Sequence, residues 1–165
     1  MTFPFTTLSG LALYAGTIHQ NPAALAYKRR GRWRQIPSET FLDSVRRAGA
    51  CLIGLGLKPG DTVGLSADSS PFWLMADLAI LGGGGVTVPM FPNAARATLQ
   101  HQIADSGMRI LIVGSRELRD LFRPLCGDDV RILVLSPRLI TSDDPDDGGD
   151  SGEDEDSRAM GSLWN

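Results

Sequence analysis

Short apolar runs at Thr62 to Ser66, Val86 to Phe91, Arg109 to Val113 and Val130 to Leu135 alternate with stretches of helical periodicity near 71 to 82, 95 to 106 and 116 to 125. The resulting order is β-α-β-α-β-α-β. Such alternation predicts a mostly parallel sheet with right-handed crossovers. Ile110, Leu111, Ile112 and Val113 form an unbroken apolar run, the pattern of a strand covered on both faces. The stretch 71 to 82 is apolar almost all round, which predicts a deeply buried helix. Ser70 can cap that helix, and Pro71 falls at its first position, where the missing N–H costs nothing.

Upstream, Ala24 to Lys28 and Trp33 to Ile36 flank a polar, glycine-containing loop and predict a β-hairpin. After Pro37, Ser38 is a candidate cap for a helix with Glu39 in its first turn and Phe41, Val45, Ala48, Leu52 and Leu55 along one stripe. Gly56 followed by Leu57 suits a left-handed helix end with its hydrophobic contact, and Pro59, Gly60 and Asp61 supply the turn into the next strand. The fold class is therefore α/β: an N-terminal β-hairpin and helix, then the β-α-β-α-β-α-β sheet.

A chain of 165 residues, 42% apolar, is long enough for one core. Met1 to Leu13 has no basic n-region, and Phe72 to Val88 is broken by Asp77 and four glycines, so neither reads as a signal or a membrane span and a cytoplasmic protein is expected. The net charge of -3 conceals an asymmetry. Residues 1–142 carry 15 basic and 10 acidic side chains, whereas 143–165 carry one basic and nine acidic. A mildly positive body fits an anionic substrate such as a nucleotide or thioester cofactor but falls short of a nucleic-acid surface. Residues 141–158 hold no aliphatic or aromatic side chain and read as a disordered acidic linker. Ala159, Met160, Leu163 and Trp164 restore apolar character and read as the opening of a further, truncated element.

Several features invite a chemical reading, and each has a plainer one. Gly82 to Gly85 follow a predicted helix and precede a strand, the reverse of an anion-binding loop; Thr87 stands where a dinucleotide fingerprint needs its last glycine. Their expected role is to end the helix and allow close backbone packing. Gly64, Leu65, Ser66, Ala67 and Asp68 fall one residue short of a nucleophile elbow, because Asp68 occupies the second glycine position. His19 and His101 lack a carboxylate or cysteine at ligand spacing, and Cys51 and Cys126 are expected to be buried reduced thiols. The acidic stretch fails the calcium-loop pattern at Gly148 in the frame that starts at Asp144. Lys28, Arg29, Arg30, Arg32 and Arg34 crowd the hairpin and read as a solvated surface, with phosphate binding as the alternative.

Four segments occur in an informative order. They are Asn21 to Lys28 with Gly31-Arg32-Trp33, then Leu55 to Val63, then Pro71 to Leu81, then Val86 to Pro92. Together they resemble the N-terminal region of the AMP-forming acyl-CoA synthetases, the long-chain fatty-acid members of the adenylate-forming superfamily in particular, over roughly residues 21–136. Asn93-Ala94-Ala95 departs from the Thr/Ser-rich stretch usual there, and Gly82 to Gly85 is richer in glycine.

The resemblance implies that residues 1–140 are the N-terminal part of an AMP-binding domain, a partial lobe of the fold. It also implies a reaction in which ATP and a fatty acid give an acyl-adenylate and then acyl-CoA. The phosphate loop, adenine motif, ribose-binding Asp and late catalytic Lys of that family would lie beyond Asn165, so no catalytic, cofactor-binding or metal residue is carried over and this chain alone is expected to be inactive. ATP, Mg²⁺ and coenzyme A are implied for the full-length enzyme, with the remainder of the ligase, in the same or a separate chain, as partner. No nucleic acid and at most peripheral membrane contact are expected. A freestanding non-catalytic partner module and an independent nucleotide-binding α/β domain remain as alternatives.

Overall fold

A computed structural model of the chain describes residues 4–135, so the acidic linker and the element expected after it lie outside the described residues. The chain forms two compact units, one built from the residues up to Asp61 with Ser69–Val86, the other from Thr62–Asp68 and the residues from Thr87 on.

The first unit opens with helix α1 (Leu8–His19), which the hydrophobic pattern does not announce. Thr7 caps it by accepting from the Gly10 N–H at 3.0 Å, and Gln20 ends it in the left-handed region at φ 40°. The anticipated hairpin follows as β1 (Leu25–Arg29) and β2 (Arg32–Ile36), antiparallel, with Leu25 opposite Ile36 and Lys28 opposite Trp33. Its two turn residues, Arg30 and Gly31, both have positive φ, 47° and 79°, the twist that two-residue hairpin turns require.

Helix α2 (Ser38–Gly54) begins where expected, but Ser38 does not cap it. The preceding Pro37 takes the cap position with no side-chain bond, and the Ser38 hydroxyl instead accepts from the Asn21 N–H at 3.0 Å while the Ser38 N–H donates to the Asn21 carbonyl at 2.8 Å. That reciprocal pair clips the segment after α1 to the start of α2. Of the expected stripe, Phe41, Ala48 and Leu52 are buried and Val45 and Leu55 half-buried.

The C-terminus of α2 is a Schellman motif: Leu57 N–H reaches the Leu52 carbonyl and Gly56 N–H the Ile53 carbonyl, each at 2.9 Å, with Gly56 at φ 100°. Helix α3 (Pro71–Gly82) is capped by Ser70 as anticipated, its hydroxyl accepting from Trp73 N–H at 3.3 Å. It ends in the same way as α2, with Gly85 N–H on the Ile80 carbonyl, Gly84 N–H on the Leu81 carbonyl and Gly84 at φ 84°. The two ends are tied by a Gly60 N–H bond to the Gly84 carbonyl at 2.8 Å.

The second unit carries a parallel sheet of β3 (Thr62–Ser66), β4 (Val86–Pro89), β5 (Ile110–Val113) and β6 (Arg131–Val134), in the spatial order β4-β3-β5-β6. Val63 pairs with Ile110 and Ser66 with Val113; Ile110 pairs with Arg131 and Val113 with Val134. Helix α4 (Arg96–Ser106) and helix α5 (Arg116–Phe122), which runs into a 3₁₀ turn at Arg123–Leu125, connect the later strands. β5 is buried on both faces, as its unbroken apolar run implies. Met90, Leu99, Ile103, Met108, Leu111, Phe122 and Ile132 belong to the core of this unit.

The left-handed φ of Gly84 and the 3.3 Å between its Cβ position and Pro59 Cα make it the least replaceable residue of the helix junction. Gly84→Ala is expected to cost about 1 to 2 kcal/mol, by left-handed strain and backbone crowding, and to lower the urea midpoint without changing the slope of unfolding.

Candidate functional site

In parallel α/β sheets ligands gather outside the carboxyl ends of the strands, where neighbouring strands send their connections in opposite directions. Here that place is between β3 and β5, because β3 leads to β4 on one side and β5 to β6 on the other. It is formed by Ser66, Ala67 and Asp68 at one strand end and Val113, Gly114 and Ser115 at the other.

Backbone fills it. Gly114 N–H donates to the Ser66 carbonyl at 2.9 Å, and a Cβ on Gly114 would stand 2.6 Å from Ala67 Cβ and 3.0 Å from Ala67 Cα. Ser66 is 0% exposed and its hydroxyl has no hydrogen-bond partner, so the near-match to a nucleophile elbow places its serine out of reach of any substrate. The glycine of the same near-match has a packing reason: a Cβ on Gly64 would meet Met108 Sδ at 2.6 Å and Leu111 Cδ1 at 2.7 Å. Ser115 is committed to capping α5, accepting from Leu118 N–H at 3.2 Å, and the same hydroxyl, hydrogen-bonded to the Glu117 carboxylate, holds its pKa below the usual value.

The other candidates stay apart. His19 is exposed in the last turn of α1, and His101 is exposed on α4. Cys51 and Cys126 are reduced thiols and half-buried rather than buried, since each sits at the rim of a packed helix end or turn. Gly82 to Gly85 form the α3 terminus, and their missing side chains admit Leu57: a Cβ on Gly83 would stand 2.9 Å from Leu57 Cδ2 and one on Gly85 3.1 Å from Leu57 Cδ1. Among the described residues no group of three or more His, Cys, Asp or Glu could hold a metal ion. The described residues therefore do not fit a Mg²⁺–nucleotide cradle, which needs converging amides, a cation and carboxylates around an open crevice.

The first unit holds a cavity of about 530 Å³ that the sequence pattern does not reveal, lined by Leu8, Leu11, Ala15, Phe41, Leu74 and Leu78, with His19 and Asp77 also on its wall. Its size suits a small apolar ligand or side chain. The one signal that could have found it is faint: Thr7, a cap by residue type, precedes Leu8, Leu11, Ala12 and Ala15, whose spacing is helical but without a charged face for contrast. A more polar groove of about 780 Å³ runs along the start of α2, past Asn21, Ser38, Glu39, Asp43 and Arg46.

The fold is of the α/β class, a parallel four-stranded sheet whose strand-end crevice is filled by backbone. The family model described as AMP-binding enzyme matches residues 15–160, and the chain belongs to that family. It is 31% identical over 127 residues to the nonribosomal peptide synthetase ecdA of Aspergillus rugulosus, a match covering 73% of this chain and 2% of that protein. It is 30% identical over 90 residues to the long-chain-fatty-acid–CoA ligase ACSBG2 of Rattus norvegicus, covering 54% of this chain and 14% of that one. The fold is shared with the crystal structure of fatty acid AMP ligase from Legionella pneumophila, at a TM-score of 0.67 and 16% identity over 79% of this chain and 23% of that chain. The chain thus spans a small fraction of the length of the relatives it matches.

Two outcomes follow from the geometry at the strand ends. Ser66→Ala is expected to leave stability unchanged or raise it by up to about 1 kcal/mol, because it removes a buried hydroxyl without a partner; a loss above about 1 kcal/mol in urea unfolding would show that the hydroxyl is bonded. Gly114→Ala is expected to cost about 3 kcal/mol and Gly64→Ala about 1 kcal/mol, since Ala67 backbone cannot move aside as the Met108 and Leu111 side-chain ends can.

Burial holds the Cys126 thiol above its usual pKa, with Arg123 opposing and Asp129 reinforcing the shift. A raised folded pKa means the thiol's contribution to stability is full below the unfolded value near 9.0 and is lost as pH rises through the folded one. Cys126 is accordingly expected to react with iodoacetamide more slowly than a free cysteine at about pH 8, as read by mass spectrometry.

Proposed function

We propose that this chain is the N-terminal part of an AMP-forming ligase that activates a fatty acid with ATP to an acyl-adenylate and transfers the acyl group to coenzyme A. The part described here scaffolds that reaction and catalyses nothing alone. The observation that carries this reading is the family match over residues 15–160, together with the match to a long-chain-fatty-acid–CoA ligase. ATP, Mg²⁺, coenzyme A and fatty acid then belong to the complete enzyme, and the partner of this chain is the remainder of the ligase, acting in the cytoplasm. The match to a nonribosomal peptide synthetase supports a second reading, in which the carboxylate activated is that of an amino acid rather than a fatty acid.

The 165-residue chain is expected to give no heat on titration with ATP and no ATP–pyrophosphate exchange. A polypeptide that joins it to the rest of the ligase is expected to exchange pyrophosphate with fatty acids and not with amino acids. Exchange with amino acids alone would select the second reading, and ATP binding by the isolated chain would replace both with an independent nucleotide-binding domain.

A further inference from the structure

We propose that the apolar cavity of the first unit is a binding site for a small primary ammonium ion with an apolar body, its charge held by Asp77. The inference goes beyond the adenylating role and does not rest on it.

The cavity, of about 530 Å³, is lined by residues of the first unit alone and falls in the size range of pockets that hold small ligands. Two helices face each other across it. Leu8, Ala12, Ala15 and His19 follow one another every third or fourth residue along one face of α1, and on α3 Leu74 is followed by Asp77 and Leu78 at the same spacing. Phe41 of α2 completes the apolar wall. Leu8, Leu11 and His19 are exposed, so the cavity opens to solvent on the α1 side.

Asp77 gives this apolar space its chemistry. It is the single charged residue of α3 and is half-buried. It stands mid-helix, so its carboxylate neither caps the first turn nor gains from the N-terminal end of the helix dipole. Among the described residues no hydrogen bond or ion pair reaches that carboxylate, and neither Lys nor Arg is on the cavity wall. α1 has no charged side chain before His19, and no ion pair joins His19 to Asp77. Asn21 and Ser38, also on the wall, are bonded to each other. A carboxylate partly withdrawn from water lacks compensation for its lost hydration, and a cation supplies it.

The sign of the charge selects the ligand. An ammonium brings three donors to the carboxylate, while its apolar body displaces water from Ala15, Phe41, Leu74 and Leu78. A fatty acid would set like charges together, so this cavity is not where a carboxylate substrate binds. A neutral alcohol gains the apolar contact and only a weaker hydrogen bond.

The test titrates the 165-residue chain with hexylamine, hexanol and hexanoate, which share one apolar body, near neutral pH and at low salt, following its amide NMR shifts. Hexylamine is expected to move the amides of Ala15, Phe41, Leu74 and Leu78 and to bind about tenfold tighter than hexanol, the worth of a hydrogen bond to a charged group, with hexanoate weakest. Asp77→Asn keeps the shape and removes the charge; it is expected to bring hexylamine down to the level of hexanol and to leave hexanol unchanged. Ala15→Leu narrows the cavity and is expected to weaken hexylamine and hexanol alike, and the dispersion of each variant's spectrum verifies that it folds. Hexanol binding as tightly as hexylamine, hexanoate doing so, an ammonium preference that survives Asp77→Asn, shifts centred away from the cavity, or no binding of hexylamine at all would each overturn the proposal.

Discussion

The close approach of α2 to α3 is the constraint on which the first unit depends. Two helices can come this near only where a side chain is missing at the crossing. Gly49 supplies that gap, since a Cβ there would stand 3.2 Å from the Ala79 carbonyl oxygen. At the far end Leu57 fills the space left by Gly83 and Gly85 and is 5% exposed. Both helices stop in Schellman motifs, so their last carbonyls are satisfied without water and the chain turns back sharply in each case. The Gly60–Gly84 bond joins the two turns, and the Val86 N–H donates to the Asp61 carbonyl at 2.8 Å.

The second unit solves a different problem with the same economy. Its strands are short and apolar on both faces, and a parallel sheet of this kind is stable only with cover on each side. Gly64 lets Met108 and Leu111 lie flat over β3, and Gly114 lets the end of β5 meet Ala67 directly. This packing explains why the topological switch point, the default place to look for a ligand, is closed by backbone.

Much of the fold was legible because its signals are local. The hairpin, α3 with its Ser70 cap and Pro71, the Gly56-Leu57 helix end and the strand Thr62–Ser66 are written in runs of a few residues whose backbone preferences agree. Two features escaped for identifiable reasons. α1 has no charged face to contrast with its apolar one, so its periodicity is faint although Thr7 marks its start. Ser38 offered a cap by residue type, but a hydroxyl bonds whichever partner the fold brings nearest, and that proved to be Asn21, 17 residues away.

The sequence by itself determined the α/β class, the order of elements and the resemblance to AMP-forming ligases, because strand and helix periods and turn residues act over short stretches of chain. Only the tertiary structure decided the strand order β4-β3-β5-β6, the burial of Ser66, the filling of the strand-end crevice and the apolar cavity beside α1. Each of these depends on which distant residues come within a few ångströms, and that is set by packing between elements rather than by any preference within one.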